Sequence, residues 1–488
     1  MTFAKHKIWG AVGLIGALAA GQAHAQSAGS DSEIALLKQQ LRMMEQKLDK
    51  MQKQTTAAST AAANANAKVD ARIVNAHAAY PTKGPVLNTL GAYVKMPGNR
   101  PTICTDDNQN CIAITSRLHF DAGGYDYRPN TALTSPQTAQ NGVNARRARI
   151  GVLGTFAGDW DYGLIYDFGG TQDGTGTLEN AYVAYKGFKN VYIQGGYIDV
   201  PYTLDEATSS NNIMFMERAS AQTIAVNLAA GDNRSAFGMN TFGDFWWLGG
   251  YVTGPTSGAT HSNRPQYGAT ARGVVLPFNN QTGTLLLGAD AEFLFDTGGA
   301  AGVNNLTTFN DRIEVRIDPG TNALLNTGAL ANVKGAQVFS GEAAAQFGSF
   351  YAQGEYFDYT VNRLLGQSDL HFNGGYVQAS YVLTGEQRKY SNASGSFGGI
   401  NPKNPANWNS GSWGAWEIAA RYSQMSLNDG TILGGEEKST TVGANWYVNQ
   451  NVRFMFNWVH GQVDKRSLAN ADIGAHYDAF AMRTQVAF

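Results

Sequence analysis

Hydrophobic positions along this chain follow two different periods, and the change from one to the other divides it. Ile34, Leu37, Leu41, Met44, Leu48 and Met51 stand at alternating spacings of three and four, the a/d seam of a helix that packs against others. Glu33, Lys38, Gln39, Gln40, Arg42, Glu45, Lys47 and Lys50 fill the positions between, and Ser30 or Asp31 can cap the start. So short a helix is marginal alone in water, so the stripe predicts a self-associating coiled-coil segment over 26–54. Its a and d residues do not choose between two chains and three. Residues 55–85 are rich in Ala, Asn and Thr and end in Pro81, Gly84 and Pro85, which reads as a low-complexity linker.

From about residue 86 to the end the period is two. Val452, Phe454, Phe456 and Trp458 share one face, while Asn451, Arg453, Met455 and Asn457 share the other. Phe480, Met482, Thr484, Val486 and Phe488 alternate with Ala481, Arg483, Gln485 and Ala487. Trp416, Ile418, Ala420 and Tyr422 oppose Glu417, Ala419, Arg421 and Ser423, and Leu285, Leu287, Ala289, Ala291, Phe293 and Phe295 oppose Asp290 and Glu292. The runs read as strands of about 8–11 residues, the length a tilted strand needs to cross a bilayer. A soluble sandwich puts bulky groups inward and charges outward. Here the apolar face is aromatic and the other carries Arg, Asp, Glu, Gln and Gly, which suits a wall between lipid and water. Backbone groups in hydrocarbon must all be paired, so such a sheet closes on itself. The expected fold is therefore an all-β transmembrane barrel, with strands beginning near 112 and numbering about sixteen. Asn428-Asp429-Gly430 and Gly158-Asp159 fit its short hairpin turns.

Composition narrows the class. Of 488 residues, 57 are glycine and only 15% are charged, against roughly 25% in average soluble domains. No run after the N-terminus approaches the roughly 18–20 apolar residues of a spanning helix, which excludes a helical membrane protein. Residues 1–25 read as a secretory signal peptide: Lys5, His6 and Lys7, then the apolar run Ile8 to Ala20, then Ala23-His24-Ala25. Its loss moves the net charge from −2 to −4, which argues against nucleic acid as a partner. The two cysteines, Cys104 and Cys111, flank a polar loop; in an oxidising compartment they can close it as a disulfide, free thiols being the alternative. No metal or cofactor is expected. None of the eight histidines lies in a nucleophile or metal motif, so an enzyme is not expected either.

Several runs in order resemble the phosphate-selective porin O and P family. They begin with Ala145-Arg146-Arg147-Ala148-Arg149, Asp159-Trp160-Asp161-Tyr162 and Tyr166-Asp167-Phe168. Leu178-Glu179-Asn180-Ala181-Tyr182, Gly187-Phe188, Ala207-Thr208-Ser209-Ser210 and Glu217-Arg218 follow, then Tyr381 to Glu386, Gly414-Ala415-Trp416-Glu417 and Asn445-Trp446-Tyr447. The resemblance spans about 112–488. It implies a sixteen-stranded trimeric barrel in the outer membrane of a Gram-negative cell, with the N-terminal segment in the periplasm. It also implies a third loop, near 203–222, folded inward to narrow the channel. Lipid would lie outside, and small hydrophilic or anionic solutes would pass inside.

A selective pore needs charge at its narrowest point, and arginine's planar fork matches oxyanions. Counting by twos turns Arg147, Arg149, Arg272, Arg421, Arg453 and Arg483 inward. By resemblance, Arg117, Arg146 and Arg147 match pore-lining arginines, Arg312 and Arg316 match a basic ladder, and Arg218 sits in the constriction region. Glu179, Glu206 and Glu314 are the acids expected at the constriction. Glu206 occupies the position where the family's phosphate-binding lysine stands, and Glu314 replaces a ladder arginine. Each swap changes the local charge by two units, which is poorly screened in a confined lumen. The expectation is passive diffusion of small solutes with at most a mild anion or phosphate preference. A narrower channel for a carboxylate or phosphate, and an envelope-tethering role for the N-terminal helix, are the alternatives.

Overall fold

The computed structural model describes residues 39, 41–50, 52–53, 91–131, 139–170, 175–259, 263–299, 306–318 and 323–488. The signal peptide, the linker at 55–85 and the seam positions Ile34, Leu37 and Met51 lie outside the described residues. In the N-terminal unit, residues 41–50 are helical and leave Leu41, Met44 and Leu48 more than half exposed. A second unit runs from Leu87 to Phe488.

Among the described residues, sixteen antiparallel strands build the wall of this second unit. They are β1 Cys111–Pro129, β2 Gly142–Phe156, β3 Trp160–Asp167, β4 Thr177–Tyr185, β5 Val191–Ile198, β6 Arg234–Phe242, β7 Trp246–Thr256 and β8 Tyr267–Asn279. The second half comprises β9 Gly283–Asp296, β10 Val333–Phe347, β11 Phe350–Arg363, β12 Leu370–Val382, β13 Ala415–Asp429, β14 Ile432–Tyr447, β15 Val452–Asp464 and β16 Ala475–Ala487. Each strand pairs with its sequence neighbour, and β16 closes on β1 from Ala475–Pro129 to Ala487–Arg117. Closure leaves no open edge in hydrocarbon, where each unpaired backbone group would cost several kcal/mol. The strands run from 8 to 19 residues, so the expected 8–11 is too short. The longer staves keep their ladder past the width of the hydrocarbon, because inter-strand hydrogen bonds need no lipid to persist.

Apart from the long connection 383–414, short turns join the staves at the end that carries both barrel termini. Between β2 and β3, Ala157 (φ 48°) and Gly158 (φ 73°) hold the left-handed conformation that a tight hairpin requires. At the opposite end Gly430, with φ 56°, does the same between β13 and β14. Before β1, a hairpin of Ala92–Lys95 and Thr102–Thr105 adds to the sheet through Thr102–Ala113 and Cys104–Cys111. Cys104 and Cys111 are joined by a disulfide.

Alternation follows the sequence. In β15, Phe456 and Trp458 are exposed while Arg453, Met455 and Asn457 are buried, and in β16 Phe480 and Met482 are exposed while Ala481 and Arg483 are buried. Outward aromatics gather near the terminal end: Trp416 stacks on Trp446 at 5.5 Å, Trp446 on Phe454 at 5.4 Å, and Trp160 lies 4.9 Å from Tyr185. Such belts suit the membrane interface, where an amphipathic ring meets headgroups.

The inward face is not uniformly polar. Three connections fold into the cylinder: 199–233, the described parts 306–318 and 323–332 of the one between β9 and β10, and 383–414. Apolar inward residues meet them. Tyr359 and Phe372 cluster with Phe309, Leu330, Ile224 and Leu228, and Val274, Leu276 and Leu286 cluster with Leu204, Met214 and Phe215. These connections fill much of the lumen from the β8–β13 side, leaving space along β1 to β4.

Candidate functional site

The segment 199–233, between β5 and β6, carries two helices, α1 (Leu204–Ala207) and α2 (Ser220–Ala229). Thr203 caps α1 by accepting from the Glu206 amide at 3.3 Å. The segment is held by its backbone: Glu355 of the wall accepts from the Leu204 amide (2.7 Å), and Glu314 of the connection between β9 and β10 accepts from the Ser220 amide (3.0 Å). Arg421 donates to the Glu217 carbonyl (2.8 Å) and Arg453 to that of Ile213 (2.9 Å). The Arg421 guanidinium also sits 4.8 Å over the Phe215 ring. The segment thus stays inside because inward arginines and carboxylates satisfy polar groups that would otherwise be stranded.

Three cavities succeed one another beside it. At the far end, a cavity of about 550 Å³ is lined by Arg146, Arg312 and Arg316. It shares Arg146, Asn227 and Arg316 with a middle cavity of about 430 Å³, where Arg147 and Arg218 join them. At the terminal end, a cavity of about 940 Å³ is lined by Arg117 and Arg149. Arg149 of this last cavity bonds Asp232 of the middle one at 3.2 Å. Arg117, Arg146, Arg147, Arg149, Arg218, Arg312 and Arg316 line this row of cavities, together with Arg100, Arg234 and Arg453.

Arg146 and Arg147 both reach the lumen because of a bulge. His119 pairs with Arg147 but Phe120 pairs with Ala145, so Arg146 is the extra residue and the alternation slips by one. Their surroundings differ sharply. Arg146 forks onto Glu217 at 2.9 and 3.1 Å, and Arg483 reaches the same carboxylate at 2.8 Å while Arg316 stands 3.8 Å away. Arg149 serves Asp167 (2.7 Å), Asp232 and Glu179. Arg117 donates to Ser210 (2.6 Å) and Ser209 (3.2 Å). Arg218 donates to the Asp205 and Thr208 carbonyls and stands 3.4 Å from Glu206. Arg147 is 3% exposed and lacks a carboxylate partner among the described residues, and its Nε and Nη1 make no hydrogen bond.

The expected acids separate. Glu206 lines the middle cavity and accepts from Gln222 at 3.1 Å. Burial pushes its carboxyl up to about 7, against the pull of Arg218. Glu179 is buried against Arg149. Glu314 stands away from the three cavities, with Arg421 (2.6 Å), Ser423 (2.7 Å) and Ser439 (3.1 Å) donating to it. Burial alone would raise Glu217 and Asp232, yet arginines overcome it: Arg146, Arg483 and Arg316 hold Glu217 well below the usual range, and Arg149 and Arg147 hold Asp232 below it.

Arg272, Arg421, Arg453 and Arg483, turned inward by the count of two, are buried as well and brace the lumen filling: Arg272 donates to the Gly395 carbonyl at 2.8 Å and Arg483 reaches Glu217 at 2.8 Å, while Arg453 also lines the terminal cavity. Sequence reasoning missed Asp232 and the role of Glu217 as a three-arginine hub. It also missed the connection 383–414, whose Arg388 bonds Glu417 (2.7 Å) and whose Ser396 bonds the Ala207 carbonyl (3.0 Å). The unusual length of that connection among short turns was its one signal.

The family model described as phosphate-selective porin O and P matches residues 112–488. The chain is similar to Porin O of Pseudomonas aeruginosa, 27% identical over 425 residues that cover 79% of this chain and 90% of that one. It is also similar to a protein of Caulobacter vibrioides, 26% identical over 441 residues that cover 88% and 83%. Among solved structures, the anion-selective porin from Comamonas acidovorans aligns with a TM-score of 0.46 and 10% identity, covering 78% of this chain and 100% of that one.

Proposed function

This chain belongs to the phosphate-selective porin O and P family, and from that premise we propose that it forms a passive outer-membrane channel with an anion preference. One observation carries the reading: ten arginines line a row of cavities within a closed sixteen-stranded wall. Positive groups along such a path raise the local concentration of anions and speed their entry. Glu206, Glu217 and Asp232 beside them keep each positive site weak, so anions enter and leave without a deep trap. Phosphate is admitted, and chloride and small carboxylates pass by the same route. The protein works as a homotrimer with its N-terminal helix in the periplasm. The exposed Leu41, Met44 and Leu48 support this assembly, since an apolar helical stripe needs a partner.

Purified, detergent-folded protein added to a planar bilayer is expected to give stepwise current, with steps grouped in threes. Current that never rises above the leak after folding is confirmed by a heat-sensitive electrophoretic shift would overturn the channel. Single, ungrouped steps would overturn only the trimer.

A further inference from the structure

The middle cavity is divided by charge between two elements. On β2 stands Arg147, buried and with no carboxylate in ion-pair contact among the described residues, its Nε and Nη1 making no hydrogen bond. On the inward segment stand Glu206 and Asp232, together with Gln222. The other arginines here are spent. Arg146 is committed to Glu217, and Arg316 to Asp311 and Glu217. Arg234 is committed to the carbonyls of Asn227, Ala230 and Gly254 and to the Gln266 side chain. The acids are short of partners: Arg218 is shared between Asp205 and Glu206, and Arg149 among Asp167, Glu179 and Asp232. The inward segment therefore keeps excess negative charge where the strand keeps excess positive charge. Gln222 adds polarity of the same sense, because its Nε2 donates to Glu206 and its Oε1 has no donor.

We propose that this cavity is a weak, oriented binding site for small zwitterions, solutes of the amino-acid class with a carboxylate and an ammonium group a few bonds apart. The proposal rests on the channel reading and names a solute class for it. A monovalent anion gains from Arg147 but meets Glu206 and Asp232, and a cation meets the reverse. A zwitterion lying across the cavity places its carboxylate at Arg147 and its ammonium at Glu206 and Asp232, so it gains at both ends. It also brings no net charge into a confined lumen, where an unmatched charge is costly. The volume of about 430 Å³ accepts such a molecule with some of its water.

The test uses full-length protein in liposomes, with swelling in isosmotic L-alanine compared with swelling in lactamide, an uncharged molecule of similar size. The wild-type channel should admit alanine at least about threefold faster than lactamide, as a weak in-path site allows. Arg147→Gln and Glu206→Gln should each bring that ratio close to one while lactamide flux and the heat-sensitive electrophoretic shift persist. The two variants should also move the chloride zero-current potential in opposite directions, Arg147→Gln away from anions and Glu206→Gln toward them. Equal alanine and lactamide rates in the wild-type channel would overturn the proposal. So would a ratio that Arg147→Gln removes and Glu206→Gln leaves intact, because the site would then read only an anion. Failure of both solutes to enter would refute the channel itself, which is a separate outcome.

Discussion

At Glu217 the guanidinium groups of Arg146, Arg483 and Arg316 converge on one carboxylate, whereas Arg147, one residue along from Arg146, has no such partner. Neutralising the hub by Glu217→Gln strands Arg146 in a lumen with little water and leaves Arg483 with Asp121 alone. Removing one member of a buried pair costs about 3–5 kcal/mol, so the heat-induced electrophoretic shift should move to lower temperature. The surviving variant channel should be more anion-preferring in zero-current recordings. Glu206 gives a second prediction, because burial lifts its carboxyl to about 7. Arg218 faces it and, with the Gln222 hydrogen bond, favours the charged form, while Asp232 and Asp199 oppose that form. Protonation removes a negative charge from the cavity, so anion preference should rise as pH falls through about 7, and Glu206→Gln should flatten that dependence. Inward arginines were legible in the sequence because side chains alternate along a strand. The pairing of Arg146 with Glu217 was not, since it depends on a bulge that breaks the alternation and on a loop folded in from elsewhere.

Elements account for where the path runs. The connection 199–233 stays inside the cylinder because Glu355 of the wall and Glu314 of a neighbouring connection accept from the first amides of α1 and α2, and because Ile224 and Leu228 cluster with Phe309, Tyr359 and Phe372. From the terminal end, 383–414 adds a small hairpin, Tyr390–Ser391 with Ser396–Phe397. Arg272 donates to its Gly395 carbonyl at 2.8 Å, and Arg388 reaches the Asn212 carbonyl. Replacing 389–397 by a short glycine-serine link should enlarge the terminal cavity and raise single-channel conductance at least about twofold, with selectivity set by Arg147 and Glu206 retained. An unchanged conductance would mean that this hairpin lies off the path. The staves themselves were readable from period-two runs such as Phe454–Phe456–Trp458, and the closure followed from backbone pairing. Strand length was not readable, because the ladder continues where no hydrocarbon demands it. The apolar inward residues were not readable either, because their partners are connections that carry no regular period.

The whole molecule reconciles an acidic chain with an anion path. Its formal charge is −2, yet many acids inside the cylinder are matched by arginines that hold loops in place, as Glu417 is by Arg388 and Asp121 by Arg483. Selectivity is a property of the few groups left over along β1 to β4, not of the net charge. The most direct measurement is the zero-current potential of the reconstituted channel across a potassium chloride gradient. The sign of the potential should show chloride to be more permeant than potassium, and Arg147→Gln should diminish it. A potential with the sign of potassium preference, or one indifferent to Arg147, would contradict that.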